Sequence, residues 1–111
     1  MKNLMDLYNK RKLLESKIID LNDDLEYYKK ERKMLEKFKK IIYNFSRNYP
    51  KDVLEHKASF ELYRRISDLL DKINESIDHH VSAIMLYRES LIEELRKVEE
   101  QIRELSKQEV K

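Results

Sequence analysis

Hydrophobic side chains recur every seven residues along the first half of the chain. One row contains Leu7, Leu14, Leu21, Tyr28, Leu35, Ile42 and Tyr49. A second row, three residues earlier in each repeat, contains Leu4, Arg11, Ile18, Leu25, Arg32 and Lys39. Alternating spacings of three and four residues place side chains on one stripe of an α-helix. We therefore predict a long helix over about residues 3–48, with Phe38 taking the place of Lys39 in the stripe.

The second half has a row of its own, formed by Tyr63, Leu70, Ile77, Ile84, Leu91, Val98 and Leu105. Its companions are expected three residues later near the start (Ile66 and Ile73) and four residues later near the end (Leu95 and Ile102), so the stripe rotates along the helix. Leu62 and Leu69 widen this stripe at its start. The pattern predicts a second helix over about residues 53–108.

The two rows are separated by the segment 49–52, which contains the only proline of a chain without glycine. Pro50 lacks a backbone donor and disfavours helix at Tyr49. Asp52 is a good N-cap, and Glu55 completes a capping-box pattern. A turn this short makes the helices antiparallel neighbours.

The predicted fold is therefore all-α: a single domain over residues 1–111, folded as a long antiparallel, coiled-coil-like hairpin that turns near Tyr49-Pro50. A symmetrical turn places residue i near residue 100 − i and leaves the second helix overhanging by about ten residues.

Charge and composition agree with this fold. Charged residues make up 41% of the chain, against about a quarter in globular domains, and this favours long helices over a compact globule. Residues 1–50 carry 13 basic and 8 acidic side chains, and residues 51–111 carry 11 and 14. The halves are thus +5 and −3, which favours antiparallel pairing, although each surface pair contributes little.

Several classes of function lose support from the same composition. The absence of cysteine removes disulfides and thiolate chemistry. The first dozen residues lack the apolar run of a signal peptide, and no segment approaches the length needed to insert into a membrane. We expect a cytoplasmic protein, exported, if at all, by a signal-peptide-independent route.

Surplus hydrophobic residues are the strongest functional signal. A two-helix seam leaves Leu13, Ile19, Tyr27, Met34, Ile41 and Tyr43 uncovered on the first helix, and Phe60, Met85, Leu86 and Ile92 on the second. Isolated exposed hydrophobic residues are common on protein surfaces, but Tyr27, Met34 and Ile41 form a heptad row of their own. The candidate partner-binding residues are Tyr27, Met34, Ile41, Phe60, Tyr63 and Met85.

A basic run offers a second interpretation, nucleic-acid binding. It contains Lys29, Lys30, Arg32, Lys33, Lys37, Lys39 and Lys40. The total charge is only +2, and aromatic stacking residues are not interleaved with a groove. We favour a solvated helix face paired with Glu61, Asp68 and Asp71, and expect no nucleic-acid partner.

Catalysis and metal binding have little support. His79 and His80 are adjacent, so on a helix they point about 100° apart and cannot chelate as an i, i+4 pair would. No glycine-rich loop can hold a phosphate, and a thin hairpin offers no water-excluding pocket. We expect neither an enzyme nor a cofactor- or metal-binding protein.

Two long helices joined by one central turn, in a chain of 111 residues, resemble the small helical-hairpin (WXG-like) proteins of Gram-positive type VII secretion. The chain looks most like the accessory or targeting proteins of LXG toxins. The segments that carry the resemblance are Met1-Lys2-Asn3-Leu4, Phe45-Ser46-Arg47-Asn48-Tyr49-Pro50 and Ser59-Phe60-Glu61-Leu62-Tyr63.

This resemblance implies a targeting factor or chaperone that packs on the helical N-terminal region of an LXG toxin and promotes its export. The chain lacks the Trp-x-Gly turn signature of the family, so no residue is assigned as an export signal, and a second small hairpin protein would supply it. The alternative from the residues alone is a self-associating coiled-coil adaptor that forms an antiparallel four-helix homodimer.

Overall fold

The computed structural model describes residues 3–48 and 53–110. Helix α1 spans Leu4–Asn48 and helix α2 spans Val53–Val110, against predicted ranges of 3–48 and 53–108. Apart from Asn3, every described residue lies in one of these helices. The all-α hairpin is confirmed, while the predicted turn over residues 49–52, with Pro50 and the Asp52 cap, lies outside the described residues.

Asn3 caps α1. Its side-chain Oδ1 accepts a hydrogen bond from the backbone N–H of Asp6 at 2.9 Å, and its carbonyl accepts one from Leu7 at 3.3 Å. This satisfies N–H groups that have no partner inside the helix. Asp6 in the first turn and Arg47 in the last turn also oppose the partial charges of the helix ends.

The helices form two compact units. The terminal unit comprises residues 3–26 and 82–110, and the central unit comprises residues 27–48 and 53–81. The hydrophobic core lies in the terminal unit. Its buried members are Leu7, Leu14, Leu91, Val98 and Ile102, and Leu4, Ile18, Leu21, Leu95 and Leu105 pack against them.

The seam of the central unit is more polar. Among the hydrophobic residues of this unit whose side chains are described, only Ile77 is buried. Tyr28, Leu35, Ile42, Tyr63 and Leu70 are half-buried. Arg32 and Lys39 occupy two of its heptad positions and are half-buried as well. Long cations can lay their apolar stems along a seam while the charge stays in water.

The pairing register differs from the expected one. In the central unit Arg32 pairs with Asp78 and Lys39 with Asp71, and in the terminal unit Arg88 donates to Asn22 at 2.8 Å. The residue numbers of each pair add to 110, not 100. A shift of ten residues is about 15 Å along a helix.

Packing of the hydrophobic rows explains this register. The expected register would set Leu7 opposite Glu93, an exposed acid, whereas in the structure Leu7 joins Val98 and Ile102 in the core. Burial of a leucine contributes about 1.5–3 kcal/mol, so rows repeated along the helices favour the register that buries them. The expected overhang is therefore wrong, because Leu105 packs against the core.

Two assignments within the stripes are also wrong. Phe38 does not replace Lys39 in the seam: 51% of the Phe38 surface is exposed, and Lys39 occupies the heptad position. Ile73, expected as a companion of Leu70, is 49% exposed. Leu62 and Leu69 are exposed too. These hydrophobic residues belong to a second surface.

Candidate partner-binding surface

One edge of the central seam is polar. The Arg32 guanidinium donates to the Asp78 carboxylate, and the Lys39 ammonium donates to Asp71. The hydrogen bond to Asp71 raises the pKa of Lys39 above its ordinary value of 10.5, and the charge of Asp68 acts in the same direction. We call this side of the seam the ion-pair edge.

The ion pairs match the expected solvation of the basic run only in part. Asp71 was expected to pair across the hairpin and does so. Glu61 instead pairs with Arg64 on its own helix, at 3.2 Å. Asp78, which was not expected to take part, pairs with Arg32.

An aromatic cluster lies on the same edge. The rings of Tyr43 and Tyr63 meet edge to face across the hairpin, with centroids 5.4 Å apart, and Phe60 lies 6.2 Å from Tyr63. Phe60 is exposed and Tyr63 is half-buried. Further along the central seam, the Tyr28 ring lies 5.8 Å from the ring of His80.

On α1, hydrophobic residues follow the opposite edge of the seam. Tyr27, Met34 and Ile41 each precede a seam residue by one position, which places them about 100° round the helix from the seam row. Phe38 and Phe45 each follow a seam residue by three positions, about 60° round in the same direction. Between 51% and 64% of the surface of each of these five side chains is exposed.

Helix α2 repeats this arrangement over residues 62–73. Leu62 and Leu69 precede Tyr63 and Leu70 by one position, and Ile66 and Ile73 follow them by three. Ile66 is half-buried, and the other three are exposed. The spacings along this row are four, three and four residues, which is the spacing of a coiled-coil seam.

Both hydrophobic rows lie on one side of the central unit. On α1, the seam row separates Arg32 and Lys39 from Met34 and Phe38. On α2, the seam row separates Asp71 and Asp78 from Leu69 and Ile73. Because the ion pairs join the helices on one edge, the hydrophobic rows must share the opposite edge. We call this surface the apolar face, formed by Tyr27, Met34, Phe38, Ile41, Phe45, Leu62, Ile66, Leu69 and Ile73.

The predicted binding residues do not form one group. Tyr27, Met34 and Ile41 lie together on the apolar face. Phe60 and Tyr63 belong to the aromatic cluster on the ion-pair edge, and Met85 is an exposed residue of the terminal unit. The prediction missed Phe38, Phe45, Leu62, Leu69 and Ile73 as members of the same surface. A search for a second three–four spacing in each helix finds them.

The described residues offer little for other chemistry. They contain no group of three or more His, Asp or Glu side chains placed to hold a metal ion. The Nδ1 atom of His80 lies 2.7 Å from the Ser76 carbonyl of its own helix. Within these residues, neither helix has an apolar stretch long enough to cross a bilayer.

A depression of about 510 Å³ in the terminal unit is lined by both apolar and polar side chains. Leu7 and Leu105 form its apolar part, and Lys97, Glu100, Gln101 and Glu104 complete the lining. The four polar side chains belong to the solvated surface of α2, where charges are mixed in sign. This depression is therefore a weaker candidate for a binding site than the apolar face.

Comparisons of the chain with family models, with curated proteins and with solved structures find no significant match.

Proposed function

We propose that this protein is a helix-binding module. The observation that carries the proposal is the apolar face, where eight large hydrophobic side chains, Tyr27, Met34, Phe38, Ile41, Phe45, Leu62, Leu69 and Ile73, are about half exposed. At about 100 Å² each, they present on the order of 800 Å² of surface. That is more than the largest apolar patch of a typical monomer and comparable to one side of a standard protein interface.

The spacing of the face indicates the kind of partner. Rows with three–four spacing accept the side chains of another α-helix between their own, as in coiled coils and bundles. Two such rows on neighbouring antiparallel helices form a groove along which a third helix can lie. Tyr and Met contribute adaptable contact area to such a surface.

For the partner we propose the helical N-terminal region of a type VII secreted LXG toxin, with this chain as a targeting factor or chaperone that promotes export. The support is the resemblance to small helical-hairpin accessory proteins together with a face suited to a long helix. A second small hairpin protein that carries the export signal completes this proposal.

Co-expression with the toxin encoded next to this gene tests the proposal. We expect a complex that survives purification and loses its stability when Met34→Lys is introduced into the apolar face. A control substitution, Leu86→Lys, changes an exposed hydrophobic residue of the terminal unit and should leave the complex intact. If no toxin is encoded nearby, or none co-purifies, the toxin assignment is wrong.

Self-association is the second candidate function, since the same exposed rows could pack against those of another copy. An antiparallel four-helix dimer would bury the apolar faces of two hairpins against each other. Sedimentation equilibrium of the purified chain distinguishes the two candidates. A stable dimer at micromolar concentration supports the adaptor, and a monomer that gains stability only with its partner supports the helix-binding module.

A further inference from the structure

The apolar face has a basic border on both helices. Lys30 and Lys37 lie beyond the Tyr27, Met34 and Ile41 row of α1, and Arg65 and Lys72 lie beyond the Leu62 and Leu69 row of α2. All four are exposed. Unlike Arg32 and Lys39, none of them forms an ion pair within the described part of the chain.

Acidic residues are sparse on this surface. Glu31 lies within the α1 row and is half-buried. The acids of α2, Glu61, Asp68 and Glu75, lie further round the helix than Arg65 and Lys72, away from the apolar face. Four cations and one acid therefore surround the face.

These positions correspond to the flanking sites of a coiled coil. The border residues lie about 80° from the centre of the hydrophobic row, as e and g residues do from an a/d seam. Charges at such sites select the partner, because opposite signs attract and like signs repel. A second copy packed on the apolar face would bring its own four cations against these four.

Resting on the proposed helix-binding function, we infer that the apolar face binds an amphipathic helix of another protein whose hydrophobic stripe is flanked by Asp and Glu. The stripe packs between the α1 and α2 rows. Its acidic flanks pair with Lys30 and Lys37 on one side and with Arg65 and Lys72 on the other. The border thus favours an acidic partner over a second copy of this chain.

Two synthetic peptides of about four heptads, with Leu at the seam positions, test this inference. One carries Glu at its e and g positions and the other carries Lys, so both repel themselves and differ only in flanking charge. We expect calorimetry and helix content by circular dichroism to show binding of the Glu peptide. The Lys peptide should bind at least about tenfold more weakly.

Matched variants of the full chain localise the effect. Lys30→Glu/Lys37→Glu removes half of the border and should weaken binding of the Glu peptide about tenfold. Lys29→Glu/Lys40→Glu makes the same charge change in the same helix at positions further from the apolar face, with Lys29 towards the ion-pair edge and Lys40 on the back of α1. It should change binding less than about twofold. Met34→Lys should abolish binding, and circular dichroism of each variant alone checks that the hairpin persists.

Three outcomes overturn the inference. Equal binding of the Glu and Lys peptides, or equal effects of the two double variants, would show that the basic border does not select the partner. If the Glu peptide does not bind at all, the inference of an acidic helical partner is wrong. A dimer of the chain that persists at low salt and that Met34→Lys dissociates shows that a second copy covers the face despite the border.

The toxin co-expression experiment separates these failures from failure of the proposed function. A complex that co-purifies but is insensitive to Met34→Lys and to the border variants leaves helix binding in place and rejects this face.

Discussion

Arg32 and Lys39 occupy heptad positions that are usually hydrophobic in a coiled coil. Each is half-exposed and meets an exposed aspartate of the other helix. Exposed pairs of this kind contribute between zero and about 1 kcal/mol, because water screens the attraction and ordering two long side chains costs entropy. The two pairs orient the central seam more than they stabilise it.

A double-mutant cycle with Lys39→Met and Asp71→Asn should give a coupling free energy below about 1 kcal/mol in urea unfolding at pH 7. The coupling should fall further in high salt. A cycle between Lys40→Met and Asp71→Asn is the control and should show no coupling. A Lys39–Asp71 value far above this range would show a desolvated pair.

The pH dependence of the same cycle follows from the direction of the shift. The hydrogen bond to Asp71 raises the pKa of Lys39 above 10.5 in the folded chain. The coupling is therefore fully present from neutral pH up to about pH 10.5 and is lost as the pH rises through the raised pKa. Coupling that grows with alkaline pH would contradict this assignment.

At the scale of the helices, the two units distribute their hydrophobic residues differently. In the terminal unit they are buried between α1 and α2, around Leu7, Leu14 and Val98. In the central unit, α1 and α2 bury fewer hydrophobic side chains between them and leave a row of exposed ones on the apolar face. The helical conformation of each segment follows from its local spacing of hydrophobic residues, but the register of the pair depends on which rows interlock.

Cysteine cross-linking tests the register in a chain without native cysteine. With a short bismaleimide, the Tyr28→Cys/His80→Cys variant should cross-link rapidly, because these side chains are in contact in the structure. The Tyr28→Cys/Lys72→Cys variant, which matches the symmetrical register, is displaced by eight residues, about 12 Å. Faster cross-linking of the second variant would support the symmetrical register in place of the observed one.

For the whole molecule, the net charge of +2 conceals an uneven distribution. The apolar face is bordered by Lys30, Lys37, Arg65 and Lys72, while the acids of α2 lie elsewhere. Screening therefore affects two kinds of association in opposite directions. It reduces attraction between the border and an acidic helix, and it reduces repulsion between two copies of the chain.

Sedimentation equilibrium at low and high sodium chloride concentration should show this contrast. The chain alone should self-associate more at high salt, while its complex with the Glu-flanked peptide should weaken. Lys30→Glu/Lys37→Glu should reduce both salt effects, because it removes part of the border. A self-association that weakens with salt would point to a dimer held by opposite charges.

The sequence by itself determined the all-α hairpin and the residues of its seam. Heptad rows are local, since i, i+3 and i+4 neighbours share a helix face whatever the helix packs against. The same rule makes the Tyr27, Met34 and Ile41 row visible in the sequence. The three–four spacing of Leu62, Ile66, Leu69 and Ile73 is equally local, so this row could also be predicted from the sequence.

Only the tertiary structure decided the register and the side of the seam on which each row lies. Phe38 and Lys39 are sequence neighbours that compete for one heptad position. In the structure Lys39 takes it and donates to Asp71 across the hairpin, while Phe38 is exposed on the apolar face. The separation of Tyr27, Met34 and Ile41 from Phe60 and Tyr63 also depends on how α2 is aligned with α1. Helix periodicity specifies angles within one helix, and packing between helices turns those angles into shared surfaces.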